Sequence, residues 1–505
     1  MKSERLFRIL GLVDEDLIAG AEAVAPKKQR NWRLILTSAA CLALVLGIGA
    51  GQLLPRVGGG NSGSSAGAGG GGHDGGTVFM SYGGPVFPLT VAEAAEGVTA
   101  ERRVVWDFSP ITYADGSPRQ WGVTATDGYV LTNNTDQDVT LKALYPFTGS
   151  LRDLERLSPE IAVDGASIGT ELSVGAYPGG FTHAGGNPEE TYNLHELNSW
   201  EQYKALLSGG AYQDRALTPY SPADIPVVVY EFSDFAAPHE EYQAATQAIG
   251  FGLDEAETTV LTYGFNGGSF REGWRQYSYF VPDGMRREPE LKVLIFIGKE
   301  PESYTLQGYQ DGGCDPGEEI DGVSCTVTRR EAVLDEIIYE ICQYDRTRYS
   351  GDGDTPVDFL FRGTMEMLTD YGLLAPGGGM DRYDMGRLDD VISDTLGVTR
   401  VMYLRFDVAI PAGGTAEVSA RLWKQPSHDF FCSGSENVGI QGYDMVTRLG
   451  SVLDFTRQTA ALANAEAMEI VRQSFGFDPE AGIFEVELDP DQEHYYMELR
   501  VMKKE

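Results

Sequence analysis

An uncharged apolar run close to the start of the chain constrains the fold of everything else. Residues 34–54 read LILTSAACLALVLGIGAGQLL and contain no charged side chain. A helix needs roughly 20 apolar residues to cross the hydrocarbon core of a bilayer, since each residue advances it by only about 1.5 Å. The sequence therefore predicts one transmembrane helix over residues 34–54, with a short segment before it and a very long one after it.

The residues before this run predict its orientation. Lys27, Lys28, Arg30 and Arg33 stand immediately ahead of it. Because basic residues favour the cytoplasmic side, we expect the N-terminus in the cytoplasm and the C-terminal region outside the cell membrane. A cleaved signal peptide would have a shorter apolar core and a clear cleavage site. A lipoprotein signal would end its apolar run at the lipidated cysteine, whereas this run continues past Cys41.

The long segment after the run is strongly acidic. Residues 1–33 hold seven basic and five acidic side chains, and the rest of the chain holds 32 basic and 70 acidic side chains. The net charge of that remainder is therefore −38, against −36 for the whole chain. Such a surface repels nucleic acids and anionic headgroups, which excludes nucleic-acid binding for this part.

Changes in composition divide the chain into six segments. They are a short cytoplasmic helix (1–33), the transmembrane helix (34–54), a Gly/Ser-rich linker (55–77), a β-rich sandwich portion (78–185), a mixed α/β portion (186–350) and a helical pair followed by a β-rich portion (351–505). We predict an α+β fold: one transmembrane helix, then β-sandwich strands with an inserted mixed and helical middle. The first and last strand regions are predicted to share one sandwich.

Alternating apolar residues predict the strands of both β-rich portions. Two alternating runs flank a turn at residues 133–136, and two more flank a turn at residues 411–414. A pair of strands is predicted around Asp164 and Gly165, and two closing strands end the chain. Residues 291–297, LKVLIFI, predict a buried strand.

Capping residues and helical spacing predict the helices. We expect helices capped by Ser199 and Thr328, a helix from Pro238 to about Gly250, and a helix near residues 465–474. The stripe of the second helix would be Leu334, Ile337, Ile338 and Ile341. Two more helices are predicted within residues 351–398, the first capped by Thr355 and the second starting near Tyr383.

The cytoplasmic segment contains an apolar stripe. Leu6, Leu10, Val13 and Leu17 recur at helical spacing within residues 1–24. One short helix cannot bury such a stripe within itself. The helix therefore either lies with this stripe on the inner membrane surface or binds a cytoplasmic partner through it.

Residues 1–50 resemble the start of single-pass membrane proteins of Gram-positive anaerobes, several of which are anti-sigma-factor-like. That resemblance implies a cytoplasmic helix that holds a sigma factor, one membrane helix and an outer sensing domain. Separately, LTNNTDQDVTLKALYPF followed by IAVDG resembles the outer β-sandwich domains of uncharacterised bacterial surface proteins. The second resemblance implies architecture alone.

Motifs for chemistry are missing from the sequence. None of the six histidines lies in H-E-x-x-H or another metal-binding spacing, and there is no P-loop or strand-linked G-x-G-x-x-G. We therefore predict no catalytic residue, no metal and no cofactor. Cys314 and Cys325 flank a turn-rich loop and are candidates for a disulfide in an oxidising compartment; two free thiols are the alternative.

These features favour a membrane-anchored extracytoplasmic binding or sensing protein, with anti-sigma-like signalling as its sharper form. One alternative is a surface interaction module that binds cell wall, glycan or another protein, for which the frequent aromatic residues would serve. The other is an uncharacterised hydrolase. The apolar stripe from Leu6 to Leu17 is the feature that distinguishes the signalling form from these two alternatives.

Overall fold

Strands form most of the regular structure in the part of the chain that the computed structural model describes. That part comprises residues 81–110, 122–177, 179, 181–182, 197, 199–283, 290–348, 355–376, 383, 385–429, 437 and 439–502. Its strands, in chain order, are β1 (Ser81–Tyr82), β2 (Thr90–Val91), β3 (Val98–Asp107), β4 (Val123–Asn133), β5 (Val139–Gly149), β6 (Glu160–Val163), β7 (Ala166–Ser167), β8 (Glu171–Ser173), β9 (Phe181–Thr182), β10 (Pro226–Ala236), β11 (Thr246–Gly252), β12 (Thr258–Tyr263), β13 (Gly267–Arg271), β14 (Trp274–Phe280), β15 (Lys292–Gly298), β16 (Tyr304–Tyr309), β17 (Ser324–Val333), β18 (Arg400–Ile410), β19 (Thr415–Lys424), β20 (His428–Asp429), β21 (Ile440–Val446), β22 (Asp454–Ala463), β23 (Met468–Gln473), β24 (Glu485–Glu487) and β25 (His494–Val501). Its helices are α1 (Leu154–Leu157), α2 (Trp200–Ser208), α3 (Ala211–Leu217), α4 (Leu334–Arg348), α5 (Val357–Asp370) and α6 (Leu388–Gly397).

The predicted membrane helix is not among these elements. Residues 1–80, which include the predicted cytoplasmic helix, the span at 34–54 and the linker, lie outside the described residues. Within the described part, no helix is both long enough and apolar enough to cross a membrane.

Strands from both ends of the described chain share one β-sandwich. A seven-stranded sheet has the order β24-β22-β3-β4-β19-β6-β7, and a four-stranded sheet has the order β2-β5-β18-β8. Trp106 and Leu131 of the first sheet and Leu141 and Val408 of the second are buried in one apolar cluster. The residues between the two strand regions therefore form an insertion into this sandwich.

The two predicted turns are arches between the sheets. β4 pairs with β3 and β19, whereas β5 pairs with β18 and β2, so the chain changes sheet at residues 134–138. It changes sheet again between β18 and β19. The Asn133 side chain joins both arches, because its amide nitrogen donates to Gln137 O at 2.7 Å and to Pro411 O at 3.1 Å.

The insertion builds two further antiparallel sheets, with the orders β12-β15-β10-β17 and β13-β14-β11-β16. β15 confirms the predicted buried strand, and the structure shows that both of its faces are covered. Its Leu294 and Phe296 lie in the aromatic-rich cluster of the insertion, while Val293 and Ile295 lie in the main cluster with residues of α4, α5 and α6. Side chains that alternate between two buried faces produce the continuous apolar run seen in the sequence.

One helix prediction in the insertion is wrong, and another places the start of its helix too early. Residues 238–245 form turns, and Thr246–Gly252 is strand β11, nearly all of it buried. A strand that is covered on both faces has no alternation of apolar and polar residues, so its sequence carries no strand signal of period two. The predicted helix capped by Thr328 begins later, at Leu334, because Ser324–Val333 pairs with β10 as a strand. The stripe Leu334, Ile337, Ile338 and Ile341 is buried as predicted.

The remaining helix predictions are partly right. The helix after Ser199 is confirmed: the Ser199 side chain accepts a hydrogen bond from Gln202 N. α5 is confirmed without its predicted cap, because Thr355 Oγ1 donates to Leu151 O at 2.6 Å. α6 begins at Leu388 rather than near Tyr383. The helix predicted near residues 465–474 is wrong, since Met468–Gln473 is strand β23 and pairs with β25.

Candidate functional site

A separate four-stranded sheet, with the order β20-β21-β25-β23, presents a row of polar side chains on one face. In its register, Gly442 lies opposite both His428 and Glu498, and Val446 lies opposite His494. Directly opposed residues share a face, as do alternate residues of one strand. His428, Asp444, His494 and Glu498 therefore project from the same face. Together with Tyr82 and Lys424 we call these residues the Asp444 cluster.

Asp444 lies at the centre of this cluster and is fully buried. Its Oδ2 accepts hydrogen bonds from Tyr82 OH at 2.7 Å and from His494 Nε2 at 2.7 Å. Burial alone would raise the pKa of Asp444. The hydrogen bond from His494 and the charges of His494, His428 and Lys424 outweigh burial and hold that pKa below its usual range. The Asp444 carboxylate is thus stabilised by the hydrogen bonds of Tyr82 and His494 and by the nearby Lys424.

Lys424, the last residue of β19, is a buried cation beside Asp444. Its side chain is only 5% exposed, and Nζ donates to Gly84 O at 2.7 Å. Burial lowers the pKa of Lys424 to about 8, although the charge of Asp444 opposes this shift. Gly84 can present its carbonyl here because it has a φ of +85° and because a Cβ would lie 2.4 Å from Thr148 Cγ2.

His428 and Glu498 form the other end of the cluster. His428 Nε2 lies 3.4 Å from Glu498 Oε1, and Arg472 on β23 pairs with the other oxygen of Glu498. The imidazole packs directly on the backbone of Gly442, where a Cβ would come within 2.0 Å of Nε2. Residue 442 must therefore be a glycine for His428 to occupy this position.

Helix α2 covers the polar face with aromatic rings. The Trp200 ring lies 4.7 Å from the His494 ring and 5.7 Å from the Tyr82 ring, centroid to centroid. Tyr203 packs against Tyr82 at 5.6 Å. Because Ser199 caps this helix, its first turn is held over the cluster and excludes water from the charged groups.

A cavity of about 130 Å³ lies beside Lys424. Its wall is mixed: Phe87, Phe147, Leu157 and Leu422 contribute apolar side chains, and polar residues that include Ser150, Asp153 and Lys424 line the rest. Two further lining residues, Gly397 and Gln425, are exposed and mark its mouth. The cavity is thus a small chamber with both apolar and polar walls and a buried cation among its lining residues.

Within the described residues, the cluster can be compared with the arrangements that acid–base and metal-dependent catalysis use. A buried Asp–His pair supports acid–base catalysis when the histidine also reaches a nucleophile. In the described part of the chain, no serine, threonine or cysteine side chain hydrogen-bonds to His494. The same residues contain no group of three or more His, Cys, Asp or Glu side chains that could hold a metal.

The site residues predicted from the sequence lie elsewhere. The stripe Leu6, Leu10, Val13 and Leu17 is outside the described residues. Cys314 and Cys325 are free thiols, and the structure does not bring them together. Cys314 contacts the Ser278 side chain and Cys325 contacts the Tyr279 side chain. These neighbours on β14 point to opposite faces of its sheet.

The aromatic residues mainly fill the interior. Trp106 and Trp200 are buried, and Trp274 and Trp423 are half-buried. None of the residues of the Asp444 cluster was predicted from the sequence as a site residue. A signal for it was present, because His494, Tyr496 and Glu498 alternate along β25 with the buried apolar residues Tyr495, Met497 and Leu499.

Comparison of the chain with protein-family models, curated proteins and solved structures finds no match. A functional proposal for this chain therefore depends on its own residues and geometry.

Proposed function

We propose that this chain is a membrane-anchored binding or sensing protein whose acidic C-terminal part lies outside the cytoplasm. One observation supports it best: a ligand-sized cavity with the buried cation Lys424 in its wall lies in the acidic part that follows the predicted membrane segment. Small-molecule sites in proteins are typically concave and mostly apolar, with a few placed polar groups. In its sharper form, the protein reports ligand binding to a cytoplasmic sigma factor held by residues 1–24.

Several features support a binding role rather than an enzymatic one. The charged groups of the Asp444 cluster stabilise the Asp444 carboxylate, and α2 covers this cluster with aromatic side chains. Such an arrangement stabilises a fixed polar interior and leaves Lys424 at the wall of the cavity. The basic flank of residues 34–54 supports the outward location of this part.

Protease protection tests the topology. The full chain, tagged at both ends, is produced in bacterial cells, and protease is added to intact and to permeabilised cells. We expect loss of the C-terminal tag in intact cells, with the N-terminal tag protected until the membrane is opened. Loss of the N-terminal tag alone from intact cells would reverse the orientation and refute the proposal.

Substitutions in the stripe test the signalling form. Leu10→Asp with Val13→Asp should abolish capture of a sigma factor by the full chain and alter expression of its target genes. Glu15→Lys is the matched control, because helical spacing places Glu15 opposite Leu10 and Leu6. If the double variant leaves capture and expression unchanged, the signalling form is wrong. If deletion of residues 1–24 keeps the outer binding phenotype, a surface interaction module is favoured.

A further inference from the structure

We propose that the cavity beside Lys424 binds a short-chain alkyl carboxylate, with the carboxylate on Lys424 Nζ and the alkyl tail against the apolar side chains Phe87, Phe147, Leu157 and Leu422. This inference rests on the proposed function, for which it names a ligand class. It assigns the cavity a charge requirement, a polarity and a size, each of which comes from a separate observation.

The charge requirement comes from the hydrogen bonds of Lys424. Among the described residues its Nζ makes one hydrogen bond, to Gly84 O at 2.7 Å. An ammonium group has three N–H donors, so two remain for a group in the cavity that Lys424 lines. A carboxylate is the acceptor that best satisfies a buried ammonium, because charge-assisted hydrogen bonds are the strongest kind.

The electrostatics of the surroundings support an anion. Asp444 accepts the hydrogen bonds of Tyr82 and His494 on Oδ2, and among the described residues no hydrogen bond joins Asp444 to Lys424 Nζ. It therefore compensates Lys424 only in part, and burial lowers the pKa of Lys424 to about 8. The other carboxylate at the cavity, Asp153, is occupied by Arg156 Nη2 at 2.8 Å. A bound carboxylate would supply the missing counter-charge.

The walls and the volume define the rest of the ligand. Phe87, Phe147, Leu157 and Leu422 offer an apolar surface to an alkyl chain, while the neutral side chains Thr148, Ser150 and Thr399 elsewhere in the wall offer no partner for a second charge. The volume of about 130 Å³ is close to that of an apolar cavity of about 150 Å³ that holds benzene in another protein. The cavity is therefore large enough for an anion with about six non-hydrogen atoms, such as butyrate.

Calorimetric titration of the full chain in detergent micelles tests this with four probes. Butyrate should bind saturably, and acetate should bind about tenfold more weakly because it buries two fewer methylene groups. Butyramide, which has the same shape without the charge, and inorganic phosphate, which has charge without a tail, should each bind at least tenfold more weakly than butyrate. Equal binding of butyramide or phosphate, or no binding of butyrate, would overturn the proposal.

Matched lysine variants locate the site. Lys424→Met should weaken butyrate binding at least tenfold, whereas Lys142→Met should leave it unchanged, because Lys142 is exposed and pairs with Asp407 at 2.8 Å. Reductive methylation of the unaltered protein gives an independent readout: butyrate should protect Lys424 and not Lys142. Equal binding by both variants, or no protection of Lys424, would contradict the assignment.

These results are independent of the topology experiment. Binding by purified protein does not depend on which side of the membrane the cavity faces. A reversed orientation with intact butyrate binding would therefore refute the location alone, and a correct orientation without butyrate binding would refute the ligand class alone.

Discussion

Arg102 and Asp127 form a two-point ion pair inside the sandwich, and neither side chain is exposed to solvent. Arg102 Nε and Nη2 each lie 2.8 Å from an oxygen of Asp127. Arg102 also donates to Val446 O at 2.7 Å and to Phe87 O at 3.0 Å. The pair therefore joins the seven-stranded sheet both to the strand that holds Asp444 and to a wall residue of the cavity.

Breaking this pair should destabilise the fold strongly. Asp127→Asn leaves a buried guanidinium without a counter-charge, and we expect a loss of about 3–5 kcal/mol in the free energy of unfolding. Urea unfolding of the full chain in detergent, followed by tryptophan fluorescence, measures it. Asp407→Asn removes the exposed partner of Lys142 and should cost less than about 1 kcal/mol. Equal effects of the two variants would show that the Arg102–Asp127 pair adds no more stability than the surface pair.

Two glycines after β7 should differ in how much stability the same substitution to alanine costs. A Cβ on Gly175 would lie 1.4 Å from Val401 O, so Gly175→Ala must displace β18 and should cost about 3 kcal/mol. Gly169 has no atom within 4 Å of its Cβ position, and Gly169→Ala should change stability by less than about 1 kcal/mol. Thermal melts of the two variants compare them. A stable Gly175→Ala protein would rule out the close approach of the two backbones.

The thiols should differ in reactivity and remain unlinked. Cys342 is fully buried, and burial raises its pKa to about 12. Cys314 and Cys325 are half-buried, and burial raises the pKa of each thiol as well. In the folded protein at pH 8, Cys342 should be alkylated at least about tenfold more slowly than the other two. Mass spectrometry of a non-reduced digest should find no Cys314–Cys325 peptide, and such a peptide would contradict their separation by strand β14.

The strands of the sandwich were predictable because their side chains alternate between core and solvent. Leu141, Ala143 and Tyr145 are buried while Thr140 and Lys142 are exposed, and this period of two is visible in the sequence. β11 has no such period, since nearly every residue from Thr246 to Phe251 is buried. The sheet orders could not be predicted either, because arches and hairpins have similar turn residues and differ only in their distant partners.

The Asp444 cluster was hidden for a different reason. Lys424, Asp444 and His494 come from three strands, and Tyr82 comes from a fourth strand 362 positions before Asp444. No local spacing records contacts of that range. Only the alternation of His494, Tyr496 and Glu498 was available, and it does not reveal what lies opposite.

The titration of Lys424 should make stability depend on pH in a defined window. Its pKa is about 8 in the folded protein, against 10.5 when unperturbed, so between these values the unfolded chain binds more protons. Stability contributed by Lys424 therefore rises with pH from about 8 to about 10.5, by about 3 kcal/mol at most. Lys424→Met should lack this rise. Buried tyrosines such as Tyr82 have raised pKa values and oppose it above about pH 10 in both proteins, so the difference between the two unfolding curves from pH 7 to pH 9.5 is the quantity to measure. Parallel pH profiles would mean that Lys424 is solvated in the folded state, and would remove the buried cation from the cavity wall.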